Sequence, residues 1–212
     1  SGWLAHAKRY AARMIEELAL GPRSHVIEVA SNDGYLLRNF VAAGIPCLGI
    51  EPTASTAAAA EDLGIPVMRE FFDEALGKRL AAVGKQADLV AANNVYAHVP
   101  DINDFTRVLK AALKAGGTIT LEFPHLMQLI EHTQFDTVYH EHFSYLSLHT
   151  VSKIFAATGL RIWHVEELPT HGGSLRVYGA HAHDARATTS AVTDLLQDEV
   201  NRGLQRLKTY LD

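Results

Sequence analysis

The chain has 212 residues, an ordinary apolar fraction and a formal charge of −5. It is long enough for one α/β domain with its own core, and its charge gives no electrostatic case for nucleic acid or an anionic membrane. No apolar run approaches the roughly 18 residues of a membrane span. The opening Ser1-Gly2-Trp3-Leu4 lacks the charged-then-apolar build of a signal peptide. The single cysteine, Cys47, allows no internal disulfide or cysteine-based metal site and fits a reducing cytoplasm. Twelve histidines, many in the second half, mark that half as the place for proton chemistry near neutral pH.

Residues 3–20 form a helix, with Leu4, Ala7, Ala11, Met14, Ile15 and Leu18 on one stripe and Gly21-Pro22 as its stop. A strand follows at 25–30, then a tight turn, then a helix to Ala43 that Gly44 ends. The second strand covers 46–51. Thr53 or Ser55 caps an alanine-rich helix from Ala57 to Leu63, terminated by Gly64. A short third strand at 65–68, a helix at 73–83 and a buried strand at 88–92 come next. Residues 103–114 are an amphipathic helix, and Gly116-Gly117 turns into a fifth strand at 118–123. Residues 124–148, rich in His, Phe, Tyr and acids, have weak periodicity. A helix at 149–158 precedes two close strands, 160–167 and 174–181, which read as a hairpin placing an antiparallel strand at the sheet edge. Residues 189–211 are a last amphipathic helix, either packed on this domain or leading toward another.

Alternating strands and helices imply a parallel sheet covered on both faces, with right-handed crossovers. The fold class is therefore α/β: a Rossmann-like, seven-stranded, mostly parallel sheet with an antiparallel C-terminal hairpin. Residues 1–182 make the main domain and 183–212 its C-terminal helix.

The first strand and turn, Val26-Ile27-Glu28-Val29-Ala30-Ser31-Asn32-Asp33-Gly34, bring backbone N–H groups and a helix start toward a ligand. Glu51 ends the second strand, where a ribose places its hydroxyls. The turn lacks G-x-G-x-x-G, so a dinucleotide pyrophosphate has no close approach, and no P-loop is present.

The pattern of Glu28, the Asp33-Gly34 turn and Glu51 resembles the class I S-adenosylmethionine-dependent methyltransferases. Four stretches narrow the resemblance: Ser31-Asn32-Asp33-Gly34, Ala92 to Asp101, Tyr139 to Tyr145, and His171 to Arg176. In order and spacing, over roughly residues 3–182, they are similar to the sugar C-methyltransferases that act on nucleotide-linked deoxyketosugars. The resemblance implies S-adenosylmethionine as cofactor, held by Glu28, Ser31, Asn32, Asp33, Gly34 and Glu51. It implies His142 as the base that removes a proton beside a ketone, with Tyr139 and Glu141 lining the same pocket. His98, His171, Ser174 and Arg176 would touch substrate. That family carries a zinc domain before this unit and a second α/β domain after it. Neither is found in this chain, which reads as the central catalytic domain and whose partners include those further domains.

Several residues keep two readings. Asn94 bonds the methionine end of the cofactor or its own turn backbone. His98 touches substrate or ends a helix. Arg176, on an edge strand, meets a diphosphate or an acidic partner, or faces solvent. Phe71-Phe72 reads as core, or as a cover for adenine. Which of His140 and His142 points inward depends on local structure. A metal at His140, His142 and Glu141 or His171 has no firm ligand spacing behind it. Oxygen or nitrogen methylation of another small molecule, and a cofactor-holding domain inactive without its neighbours, are the other functional readings.

Overall fold

A computed structural model describes residues 2–211. The elements run α1 (Gly2–Glu17), β1 (Val26–Val29), α2 (Leu37–Ala42), β2 (Cys47–Ile50), α3 (Ala54–Asp62), β3 (Val67–Met68), α4 (Glu74–Ala82) and β4 (Ala87–Asn93). Then come α5 (Ile102–Ala112), β5 (Leu113–Pro124), α6 (Leu126–Glu131), α7 (Leu148–Thr158), β6 (Leu160–Leu168), β7 (Ser174–His181) and α8 (Ser190–Asn201). One seven-stranded sheet has the order β3-β2-β1-β4-β5-β7-β6, so the expected fold class holds.

Strand alternation splits the core between the two faces. Val26, Leu89 and Ala91 point to one face, under Tyr10 and Met14 of α1 and Leu37 and Phe40 of α2. Ile27, Val29 and Val90 point to the other, under α4, α5, α7 and α8. Each side of β1 is thus dry, as its unbroken burial shows. Asp73, Asp101 and Ser147 cap α4, α5 and α7 by accepting a backbone N–H three residues on. Among the described residues no helix is long and apolar enough to cross a membrane.

The structure departs from the periodicity in four places. The antiparallel strand is not the edge: β7 lies between β5 and β6, antiparallel to both, and β6 forms the border. The connection through α7 carries the chain one strand beyond β5, and the hairpin return fills the gap. Second, β5 begins at Leu113, directly after α5, and runs through Gly116-Gly117, with a register shift against β4 near Ala87. Third, the irregular stretch after β5 contains a short helix, α6. Last, the final helix stops at Asn201, and Gly203 takes φ +77° before a single turn at Leu207–Tyr210. Val192 and Leu195 are buried against the sheet, while Leu207 and Leu211 stand exposed.

Candidate active site

The site lies at the C-terminal ends of the parallel strands, where such sheets leave a crevice. The turn after β1 is wound tightly: Ala30, Asn32 and Gly34 all have positive φ. Short polar side chains support it, since Asp33 N–H donates to Asn32 Oδ1 and Tyr35 N–H to Asp33 Oδ1. At Gly34 (φ +78°) a Cβ would collide with Ile65 and Ala60, so glycine is required both by conformation and by space. Glu51, buried at the end of β2, accepts N–H bonds from Asn32 (3.1 Å) and Thr53 (2.8 Å). The β1 turn and the β2 tip are therefore locked together.

Three buried polar atoms near this turn have no hydrogen-bond partner: Glu28 Oε2, Ser31 Oγ and Asn93 Oδ1. Each would be costly if it stayed unpaired. Burial first, then the charges of Asp33 and Glu51, push the Glu28 carboxyl well above its usual value. A cationic donor placed here would satisfy what the fold leaves open. Asn94, just past β4, takes φ +54° and donates its backbone N–H to Glu122 O at 2.8 Å. A mostly apolar cavity of about 430 Å³ opens beside the turn, walled by Val29, Ile50, Pro52, Phe71, Val95 and Val99 among others. Phe72 packs on Phe105 as expected for core, but Phe71 is 76% exposed and forms part of this wall.

A second cavity, of about 230 Å³, adjoins the first at His98. It brings together Asn94, His98, Tyr139, His142 and His171, with Pro124, Asp136 and Thr137. Four stretches far apart in sequence thus meet. The ring centroids of His142 lie 4.3 Å from Tyr139 and 4.6 Å from His98. His142 Nδ1 lies 2.8 Å from Thr137 O. A carbonyl only accepts, so Nδ1 carries the hydrogen, and in the neutral ring Nε2 is the nitrogen with the lone pair. Burial, then neighbouring His142, hold the His98 imidazole below the usual histidine value.

His142 N–H closes a turn onto Tyr139 O, and this settles which histidine faces the cavity. His140 and Glu141, the middle residues of that turn, are exposed. Glu141 does not line the cavity as expected; it acts on His98 through its backbone and, more weakly, through its charge.

Two expected substrate residues lie elsewhere. Ser174 is buried, and its Oγ donates to Thr170 O at 2.9 Å. Arg176 sits on the α1 face of an interior strand rather than on a solvent edge. Register places it between Glu122 of β5 and Glu166 of β6. Its Nε and Nη2 donate to Glu122 Oε1 (2.8 and 2.6 Å) and its Nη1 to Glu166 Oε2 (3.1 Å), with Tyr10 stacked over the guanidinium. His171, with φ +52°, does reach the cavity and meets Trp3 of α1 edge-on.

Sequence reasoning passed over Asn93 and Thr137. Asn93 had a usable signal, a polar residue ending a buried strand. Thr137 acts through its carbonyl, which no residue type announces.

Residues 3–165 match the family model described as a methyltransferase domain, and residues 169–212 match that of a C-methyltransferase C-terminal domain. The C-methyltransferase NovU of Streptomyces niveus is 32% identical over 207 residues, covering 98% of this chain and 49% of NovU. The chain therefore spans about half the length of that curated relative. Magnesium protoporphyrin IX methyltransferase (ChlM) from Synechocystis PCC 6803, solved with bound SAH, superposes with a TM-score of 0.64 at 14% identity, over 85% of this chain and 84% of that one. An S-adenosylmethionine-dependent methyltransferase from Mesorhizobium loti gives 0.61 at 17% identity, over 81% and 95%. At these identities the two solved structures share the fold alone. The family model spans β1 to β5 and the whole lining of the larger cavity, and the chain belongs to the methyltransferase-domain family.

Proposed function

We propose that this domain is an S-adenosylmethionine-dependent C-methyltransferase acting beside the ketone of a nucleotide-linked deoxysugar, through an enolate. The observation that carries the reading is His142: its Nδ1–H is held by the Thr137 carbonyl and its Nε2 is left free at a cavity shared with Tyr139, His98 and His171. Carbon methylation next to a ketone needs a base, a donor for the enolate oxygen and an in-line methyl group. His142 Nε2 takes the proton from the ring carbon, and Thr137 O remains bonded to the imidazolium so formed. His98 is kept neutral beside it and so does not oppose that charge. Tyr139 donates a hydrogen bond to the enolate oxygen.

The residues fit the cofactor. The unpaired Glu28 Oε2 and Ser31 Oγ suit the ammonium of its methionine end, and Asn94, lining the smaller cavity, is the further candidate for that end. Glu51 suits the ribose hydroxyls, and the larger apolar cavity suits the purine. When bound, the cofactor supplies a sulfonium methyl that the enolate carbon receives as the carbon–sulfur bond breaks. The lone buried Cys47 supports a reducing, cytoplasmic setting.

His142→Ala tests the reading. Methyl transfer should fall by about 10²–10⁴, solvent exchange of the ring proton should vanish, and S-adenosylmethionine should still bind. Exchange that persists in the variant removes His142 as the base. Transfer to oxygen or nitrogen with no exchange at carbon replaces the carbon chemistry.

A further inference from the structure

We infer that Glu199, in the C-terminal helix, is a positioning residue that clasps both ends of the segment carrying His142. This rests on the reading of His142 as the base. Glu199 is fully buried. Its Oε1 accepts from His125 Nε2 (2.8 Å) and from Leu148 N–H (2.7 Å), and its Oε2 accepts from His149 N–H (2.9 Å). His125 follows Pro124, which lines the smaller cavity. Leu148 and His149 open α7. Between these points lie residues 126–147, including Tyr139 and His142. One carboxylate from a different helix therefore closes the neck of the whole excursion, beside a backbone bond from Leu126 N–H to Leu146 O at 2.9 Å.

The excursion needs such a neck because it holds itself poorly. Met127 and Leu146 are buried near its ends, but Val138, Tyr139 and Phe143 are 55%, 41% and 61% exposed, so little apolar burial fixes the middle part that carries His142. Its inward ties are few: Phe143 and Ser144 N–H to Ala97 O, and Gln134 Nε2 to Gly172 O.

A buried carboxylate is expensive unless its oxygens are satisfied. Here three N–H groups satisfy it, and the α7 N-terminus adds its favourable dipole. An apolar side chain would seal α8 against α7 without the desolvation cost, but it would join nothing. The carboxylate joins the end of β5 and the start of α7 to the C-terminal helix. That helix lies within residues 169–212, which match a different family model from β1 to β5. The clasp thus makes the geometry of the first unit depend on the second.

The test uses the full-length protein with Glu199→Gln. The amide keeps one acceptor but turns an N–H toward a backbone N–H. A positioning role predicts kcat lower by about tenfold to a hundredfold, an unchanged Kd for S-adenosylmethionine, and faster amide hydrogen exchange confined to 126–147. Wild-type kcat and wild-type exchange in folded Glu199→Gln, with only Tm lowered, would overturn it. If Glu199→Gln does not fold, His125→Leu opens one arm and leaves the α7 cap intact. The same fall in kcat is then expected, and wild-type kcat in that folded variant overturns the proposal. A wild-type protein that neither methylates nor exchanges the ring proton defeats the catalytic reading instead. In that case, localised exchange in Glu199→Gln still decides the clasp.

Discussion

Replacing Arg176 by alanine separates a substrate contact from a buried counter-ion. Arg176 is 4% exposed and Glu122 2%, and the guanidinium makes bonds of 2.8 and 2.6 Å to one oxygen of Glu122. His6 lies 3.2 Å from the other oxygen. Burial pushes the Glu122 carboxyl up, but His6 and Arg176 together pull it below the usual range. Removing the arginine strands a carboxylate inside the domain, and breaking such a pair costs about 3–5 kcal/mol. For a domain of this size that corresponds to a Tm lower by about 6–20 °C. Glu122 has a depressed folded value, so its contribution is present above the unfolded value near 4.3 and fades as pH falls through the folded one. The gap between wild type and Arg176→Ala should thus be widest near neutral pH and shrink below about pH 4. Thermal melts from pH 3 to 8 measure this. The double variant Arg176→Met, Glu122→Gln should recover part of the loss, because no charge is left unpaired. A wild-type Tm in Arg176→Ala, with the defect confined to the KM for substrate, would refute the structural role and restore a substrate contact.

Glu28→Gln sets stability against binding. Glu28 is an acid with a raised folded value, so the wild-type apo protein loses stability as pH rises from the unfolded value toward the folded one. The glutamine variant should be the more stable at neutral pH, and its Tm should lack that downward slope. Its S-adenosylmethionine Kd should weaken by about tenfold to a hundredfold, the value of one hydrogen bond to a charged group. Calorimetry checks this, and a wild-type Kd would exclude Glu28 as the ammonium contact. Gly34→Ala forces a Cβ into positive φ and against Ile65 and Ala60. A loss of about 1–3 kcal/mol in a urea titration is expected, with weaker cofactor binding as the turn shifts.

The first turn was readable because its requirements are local. Small and Asx residues at 30–34 meet positive φ, and Glu51 sits where strand two must end; the structure adds that the two meet, at 3.1 Å. The alternation of strands and helices gave the sheet, since a parallel strand pair requires a covered crossover. The histidine-rich segment after strand five was recognisable by composition. Its inward residue was not, because a four-residue turn, rather than a strand, decides which side chain faces the cavity.

Elsewhere the outcome turned on neighbours. Period-two alternation says that Ser174 and Arg176 share a face, but not that β7 is inserted between β5 and β6. That insertion gives Arg176 two carboxylates 54 and 10 residues away and removes it from solvent. The same holds for Glu199, which reads as one more acid on an amphipathic helix. Only packing brings it to His125, 74 residues earlier. Sequence by itself determined the fold class, through short-range conformational preference and periodicity, while the family resemblance singled out the turn at 30–34 and the residues around His142. The tertiary structure alone decided which charges are buried, which imidazole faces the cavity and what closes the segment 126–147. Those depend on strand order and long-range contacts, and no local pattern encodes either.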